Sequence, residues 1–194
     1  LRLLPHRMCG ALDTAIADLA ARQVGEPLAR LLAGADARTE VRVNALLEIM
    51  ALGEASVVTA RDLIADGFDT LKLKLGGGTD GTPEAWWHDA LVAIREAVGS
   101  GTALRLDLNG VLSPDAAAAW LPTLVELGLE YVEQPIAPGH GADALTALRD
   151  TGVVVAADES VTDLPTALDL LEAGCEVLVV KPGRVGGALR ASYI

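Results

Sequence analysis

The chain contains only three lysines, Lys72, Lys74 and Lys181, against twelve arginines. Two of them lie in Leu71-Lys72-Leu73-Lys74-Leu75 and the third ends Val177-Leu178-Val179-Val180-Lys181. Three acids are placed in the same way: Asp107 closes a run from Leu104, Glu133 a run from Leu129, and Asp158 a run from Val153. Arginine effectively never gives up its proton, whereas a lysine among other cations can do so and act as a base. Three carboxylates drawn into a confined space raise one another's pKa unless a cation intervenes. With oxygen donors and no His or Cys nearby the expected ion is hard; Mg²⁺ fits best and Mn²⁺ is expected to substitute. A metal ion beside lysines suits removal of the proton next to a substrate carboxylate, because the ion stabilises the enediolate that forms. One such acid alone is as readily a helix cap or an arginine partner, and an isolated Lys-x-Lys is by default a solvated strand face. Their even spacing is what argues against both.

Positioning these residues requires a repeated element. From Asp107 to Glu133 is 26 residues, from Glu133 to Asp158 25, and from Asp158 to Lys181 23. Each step accommodates one strand, one helix and two turns. Strands are expected at 41–46, 70–75, 103–108, 129–133, 153–157 and 177–181, with helices at 54–66, 83–98, 114–127, 142–150 and 164–173 between them. Ser113-Pro114 reads as a helix cap followed by Pro in the first turn. Side chains two apart share a strand face, so Lys72 with Lys74, Arg105 with Asp107, and Tyr131 with Glu133 point one way. Polar residues at successive strand ends favour a (β/α)₈ TIM-type barrel over a doubly wound sheet, whose site lies at one switch point. A whole barrel takes about 250 residues, whereas 154 remain from Val41 onward. About six β/α units of a truncated barrel are therefore expected over 41–194, and the two unpaired edges predict association, a homo-oligomer being one form of it. Residues 1–40 read as helical, with breaks at Gly25, Pro27 and Gly34.

Composition narrows the classes. Hydrophobic residues make up 51% and aromatics 3%, which suits buried parallel strands under helices and argues against disorder. The net charge of −12 disfavours nucleic acid or an anionic membrane as partner; the expected partner, a small carboxylate substrate, follows from the metal-and-lysine chemistry above. No apolar run reaches membrane-spanning length, and no basic start with an apolar block marks a signal peptide. Cys9 and Cys175 are far apart in apolar contexts, so thiols in a reducing cytoplasm are expected rather than a bridge. His6, His88 and His140 lack partners at metal-ligand spacing. The glycines from Gly76 lack phosphate-binding spacing and read as an active-site loop. Of Trp86 and Trp87, one ring is expected against the sheet and the other partly exposed. Asp13 and Asp18 are assigned no chemistry.

Taken in order, Lys72-x-Lys74, Asp107-x-Asn109, Glu133-Gln134-Pro135, Asp158-Glu159-Ser160 and Lys181-Pro182 resemble the enolase superfamily, specifically its muconate-lactonizing-enzyme-like subgroup. A lysine or histidine base working with Mg²⁺ is a known pattern of that superfamily. The resemblance covers essentially the whole chain, residues 8–34 matching the stretch between a capping domain and the barrel. It implies that Asp107, Glu133 and Asp158 are Mg²⁺ ligands, that Lys74 is the base, and that Lys72 lowers the pKa of Lys74. It further implies that Lys181 is the opposing acid/base or an electrostatic support, with Asn109 and Glu159 behind the ligands. The run from Lys181 to Gly187 is similar to that of o-succinylbenzoate synthases, implying a carbon–oxygen lyase that dehydrates a cyclohexadiene carboxylate in menaquinone synthesis. An N-acylamino acid racemase or dipeptide epimerase shares the chemistry and is the alternative; a non-catalytic barrel fragment is the alternative of another class. The chain alone is expected to lack part of the substrate-binding loops.

Overall fold

The computed structural model describes residues 6–78 and 80–194; Thr79, in the glycine-rich loop, lies outside them. Six strands form one sheet in sequence order: β1 (Ala45–Ile49), β2 (Thr70–Leu75), β3 (Ala103–Asp107), β4 (Tyr131–Glu133), β5 (Val155–Ala157) and β6 (Val177–Leu178). Pairing is parallel from β1 through β5. Helices α1 (His6–Gln23) and α2 (Leu28–Ala33) precede the sheet. Helices α3 (Glu54–Ala65), α4 (Trp87–Val98), α5 (Pro114–Trp120), α6 (Gly141–Ala147) and α7 (Leu164–Glu172) alternate with the strands. The short α8 (Pro182–Val185) and α9 (Ala188–Ala191) follow β6. No described helix is long and apolar enough to cross a membrane.

Local chemistry accounts for where the elements differ from the sequence expectation. The first strand begins at Ala45, four residues late, because Val41 and Val43 are exposed while Ala45, Leu47 and Ile49 are buried in strict alternation. The helix expected from Pro83 begins at Trp87. The helix after Ser113 ends at Trp120 and continues to Leu127 as a 3₁₀ helix, since Pro122 has no N–H for an α-helical bond. Ser113 caps α5 as expected, its hydroxyl accepting from Ala116 N at 3.3 Å. β4, β5 and β6 are each five residues long in expectation but only two or three in fact.

The described chain divides into two compact units. One gathers the described residues through Arg42 with Val161–Asp169 and Leu178–Ile194. In it α1 packs on α8 and α9, and a Cβ on Gly10 would stand 3.2 Å from the main chain of Gly187. Asp13, given no role by the sequence, accepts the N–H of Leu189 at 2.9 Å, and Thr14 that of Ala188 at 3.1 Å, supplying two of the orphan donors at the start of α9. Asp18 pairs with Arg22 on the helix surface.

The other unit holds Val43–Ser160 and Leu170–Val177. Leu71, Leu73, Leu104, Leu106 and Val132 on one face of its strands are fully buried, as are Trp87, Leu91, Ile94, Leu121 and Leu124 from the helices. Burying each large side chain contributes about 1.5–3 kcal/mol, and this layer fixes which face of β2–β4 is left for the polar residues. Trp87 is buried and Trp86 half-buried, in edge contact, as expected for a pair with one ring inside. Cys9 and Cys175 are both thiols; burial pushes the Cys175 thiol pKa up.

Candidate functional site

Register carries the site. Across the sheet Glu48, Lys74, Asp107, Glu133 and Ala156 stand directly opposite one another in one row, and Leu46, Lys72, Arg105 and Tyr131 in the row before it. In parallel strands opposite residues share a face, so Lys74, Asp107 and Glu133 project together, away from the leucine layer. Asp158 follows β5 immediately and has the parity of Ala156. Asp107, Glu133 and Asp158 are all buried, the last two completely.

Three buried acids on neighbouring strands need positive charge, and Lys72 supplies it. Its ammonium lies 2.8 Å from Asp107 Oδ2, 2.8 Å from Glu133 Oε1 and 2.7 Å from Glu133 Oε2. The last contact falls outside hydrogen-bond geometry, so Oε2 is a buried oxygen that receives charge but no donor. Burial pulls the Lys72 pKa down, but the hydrogen bonds and charges of Asp107 and Glu133 outweigh it and the net direction is up. Glu133 is pushed up to about 7, first by burial and then by the charges of Asp107 and Asp158, against the opposing hydrogen bond and charge of Lys72. The causes differ: the two carboxylates raise Lys72, whereas burial, with Asp107 and Asp158 adding to it, raises Glu133 against the pull of the ammonium. Lys72, which the resemblance implies to be the neighbour of the base Lys74, is engaged by Asp107 and Glu133. Lys74 is half-buried and, among the described residues, makes no hydrogen bond or ion pair.

The donor set fits a hard divalent cation in kind: carboxylate oxygens only, more negative charge than one lysine offsets, and an orphaned oxygen on Glu133. The expected three-carboxylate cluster is not closed, however. Among the described residues no three His, Cys, Asp or Glu side chains are gathered as a metal cage, and the Lys72 ammonium stands between Asp107 and Glu133.

The strand ends around these acids are tied together. Asp107 Oδ1 accepts the N–H of Asn109 at 3.0 Å, and Asn109 Nδ2 donates to Glu159 Oε1 at 3.2 Å, so the two groups implied to stand behind the ligands meet. Asn109 and Gln134 both have positive φ, 46° and 41°, a region where residues with a Cβ are uncommon. Gln134 was legible only as part of a motif, and Glu48, opposite Lys74, was missed; knowing the register would have found it. After β2 the chain enters Gly76–Gly78, where Trp87 Nε1 donates to Gly76 O at 3.0 Å and Glu84 Oε1 accepts from Gly78 N at 3.1 Å. In the row beneath, Arg105 donates to Glu130 Oε2 at 2.6 Å and Asn44 Oδ1 at 3.0 Å, over the Tyr131 ring. Lys181 belongs to the other unit, where it is exposed and its carbonyl accepts the N–H groups of Arg184 and Val185 at the start of α8. His88 and His140 join no carboxylate cluster among the described residues.

Known proteins resemble this chain in sequence and in fold. The chain is 34% identical over 177 residues to an N-succinylamino acid racemase of Thermus thermophilus, covering 91% of this chain and 45% of the relative. It is 34% identical over 186 residues to a chloromuconate cycloisomerase of Pseudomonas putida, covering 91% and 47%. Among solved structures, a dipeptide epimerase from Cytophaga hutchinsonii complexed with Mg and the dipeptide D-Ala-L-Val superposes with TM-score 0.82 at 25% identity, covering 94% of this chain and 48% of that one. The chain spans about half the length of the curated relatives it matches. The likeness bears out the β/α barrel class expected from the strand-end spacing. The family model described as enolase C-terminal domain-like matches residues 55–194, and the chain belongs to that family, within the enolase superfamily.

Proposed function

We propose that this protein removes the proton from the carbon next to a substrate carboxylate and returns it, racemising or epimerising an N-acylated amino acid or a dipeptide. The observation that carries this is one row of the sheet: Lys74, half-buried and uncommitted, opposite the buried Asp107, with Glu133 next to it. Asp107, Glu133 and Asp158 would hold Mg²⁺, with Mn²⁺ as a substitute. Bound there, the ion supplies the positive charge that offsets the negative charge building on the substrate carboxylate. Lys74 takes the proton, and Lys181 is the second lysine proposed to deliver one. Asn109 and Glu159 hold the Asp107 turn, and Lys72 supplies positive charge to Asp107 and Glu133. The relatives support this reading by kind, since two of the three described above are a racemase and an epimerase.

Dehydration to o-succinylbenzoate, in menaquinone synthesis, is the second reading, favoured by the run Lys181-Pro182-Gly183-Arg184-Val185-Gly186-Gly187. It begins with the same proton abstraction and ends in loss of hydroxide. Two thiols and an acidic chain accord with a cytoplasmic setting. The test incubates the protein with Mg²⁺ in D₂O and each substrate class, followed by proton NMR. Deuterium entering the α-position of an N-acylamino acid or dipeptide supports the first reading, and loss of water from the cyclohexadiene carboxylate supports the second. Exchange with neither refutes both.

A further inference from the structure

Resting on the reading of Asp107, Glu133 and Asp158 as ligands, we propose that Gln134 is the positioning residue that sets the strand ends carrying Glu133 and Asp158. Gln134 is completely buried and sits in the left-handed region immediately after Glu133. Its carboxamide oxygen accepts the N–H groups of Asp158 at 2.9 Å and Ser160 at 3.1 Å. Its nitrogen donates to Ile136 O at 2.8 Å and Ser160 Oγ at 2.9 Å. An amide side chain has two donor hydrogens and two acceptor lone pairs, so all four are used. The orientation is forced, because two backbone N–H groups need an acceptor and a backbone carbonyl needs a donor.

The main chain of Gln134 extends the tie in the other direction. Its N–H donates to Ala156 O at 2.8 Å and its carbonyl accepts from Gly110 N at 2.6 Å. One residue therefore links the loops that follow β3, β4 and β5, the strands that carry the three acids. Left-handed backbone at a non-glycine residue is kept only where its surroundings over-determine it, and here six hydrogen bonds do so. Groups that orient ligands from behind typically change metal affinity 10- to 100-fold when removed.

The test uses the intact protein with two substitutions. Gln134→Met keeps length and volume but loses the four side-chain hydrogen bonds; Gln134→Glu keeps an oxygen for Asp158 N and Ser160 N. In the metal-free protein, amide hydrogen exchange at Asp158 and Ser160 is expected to be at least about tenfold faster in Gln134→Met, with Leu73 and Leu106 as protected as before. In Gln134→Glu both amides stay protected. Calorimetric titration with Mg²⁺ is expected to show a Kd about 10- to 100-fold weaker for Gln134→Met. Unchanged exchange at Asp158 and Ser160, or acceleration spread evenly over the sheet, overturns the proposal, since Gln134 then only fills space. Undiminished Mg²⁺ affinity in Gln134→Met overturns it as well. A parent protein that ignores Mg²⁺ while the local exchange pattern holds supports the backbone role and overturns the functional reading instead. Where Gln134→Met does not fold, loss of protection at Asp158 and Ser160 in Gln134→Glu overturns the proposal.

Discussion

The ends of β3–β5 and the end of β2 contribute to the same face of the sheet but are built in opposite ways. After β3, β4 and β5 the turns are locked by Asn109 and Gln134, and the acids they carry are buried. After β2 the chain runs into glycines, and Lys74 stands half-buried with nothing holding its ammonium among the described residues. Groups that hold a cation must keep their geometry, whereas a base must move its proton and so cannot be tied up in an ion pair. On the proposed reading, the two halves of the rim divide the chemistry in that sense. Lys72 is the exception, a β2 residue that functions with the acids.

The strongest way to break this comparison is Lys74→Ala. Proton exchange is expected to fall by about 10³-fold, within the usual range for loss of a general base, while Mg²⁺ affinity measured by calorimetry stays nearly unchanged. A parallel loss of metal affinity would show that the β2 end and the acid frame are one structure. Next in size is Lys72→Met, which leaves Asp107 and Glu133 buried without their counter-ion. Removing one member of a buried ion pair costs about 3–5 kcal/mol, expected as a lowered metal-free melting temperature that Mg²⁺ largely restores. A melting temperature equal to the parent's would remove Lys72 from the acid frame.

A pH series sharpens the same point. Glu133 has its folded pKa raised to about 7, chiefly by burial, above the ordinary 4.5 of its unfolded form. The folded state therefore binds a proton that the unfolded state has already lost between those values. Its contribution to stability is full below pH 4.5 and disappears as pH rises through 7. Metal-free protein is expected to melt higher at pH 5.5 than at pH 8, and Glu133→Gln to flatten that dependence. A slope unchanged in the variant would assign the titration elsewhere.

What the sequence disclosed depended on which physical signal each feature leaves. Period-two alternation and strand-end polarity located β2 and β3 closely, because Leu71, Leu73, Leu104 and Leu106 repeat against the core. Val41 and Val43 carried the same signal while exposed, and so drew the first strand four residues early. The three acids were legible as a set by spacing, but the Lys72 bridge was not: it depends on Lys72 standing one row before Asp107 and reaching up to it, which only the register shows. Gln134 left no signal of its own, since a buried glutamine and a solvated one are the same letter. Asp13 likewise owes its role to α9, more than 170 residues further along the chain.

The smallest expected effect concerns the junction between β2 and its loop. Gly78 has φ 68°, and a Cβ there would come within 2.6 Å of the Trp87 ring, whose indole already holds Gly76 O. Trp87 is buried against Trp120 and cannot withdraw easily, so in Gly78→Ala the loop must move rather than the ring. Left-handed strain at a non-glycine residue costs of order 1–3 kcal/mol, and displacement of the loop relieves part of it. A loss of about 1 kcal/mol in denaturant stability is therefore expected. The loop follows Lys74 by only a few residues, whereas Asp107, Glu133 and Asp158 are fixed through Asn109 and Gln134. Gly78→Ala should accordingly lower proton exchange severalfold and leave Mg²⁺ affinity within about twofold of the parent. If it weakens Mg²⁺ binding as much as it slows exchange, the β2 end is mechanically coupled to the acids and the division between a tied frame and an uncommitted base does not hold.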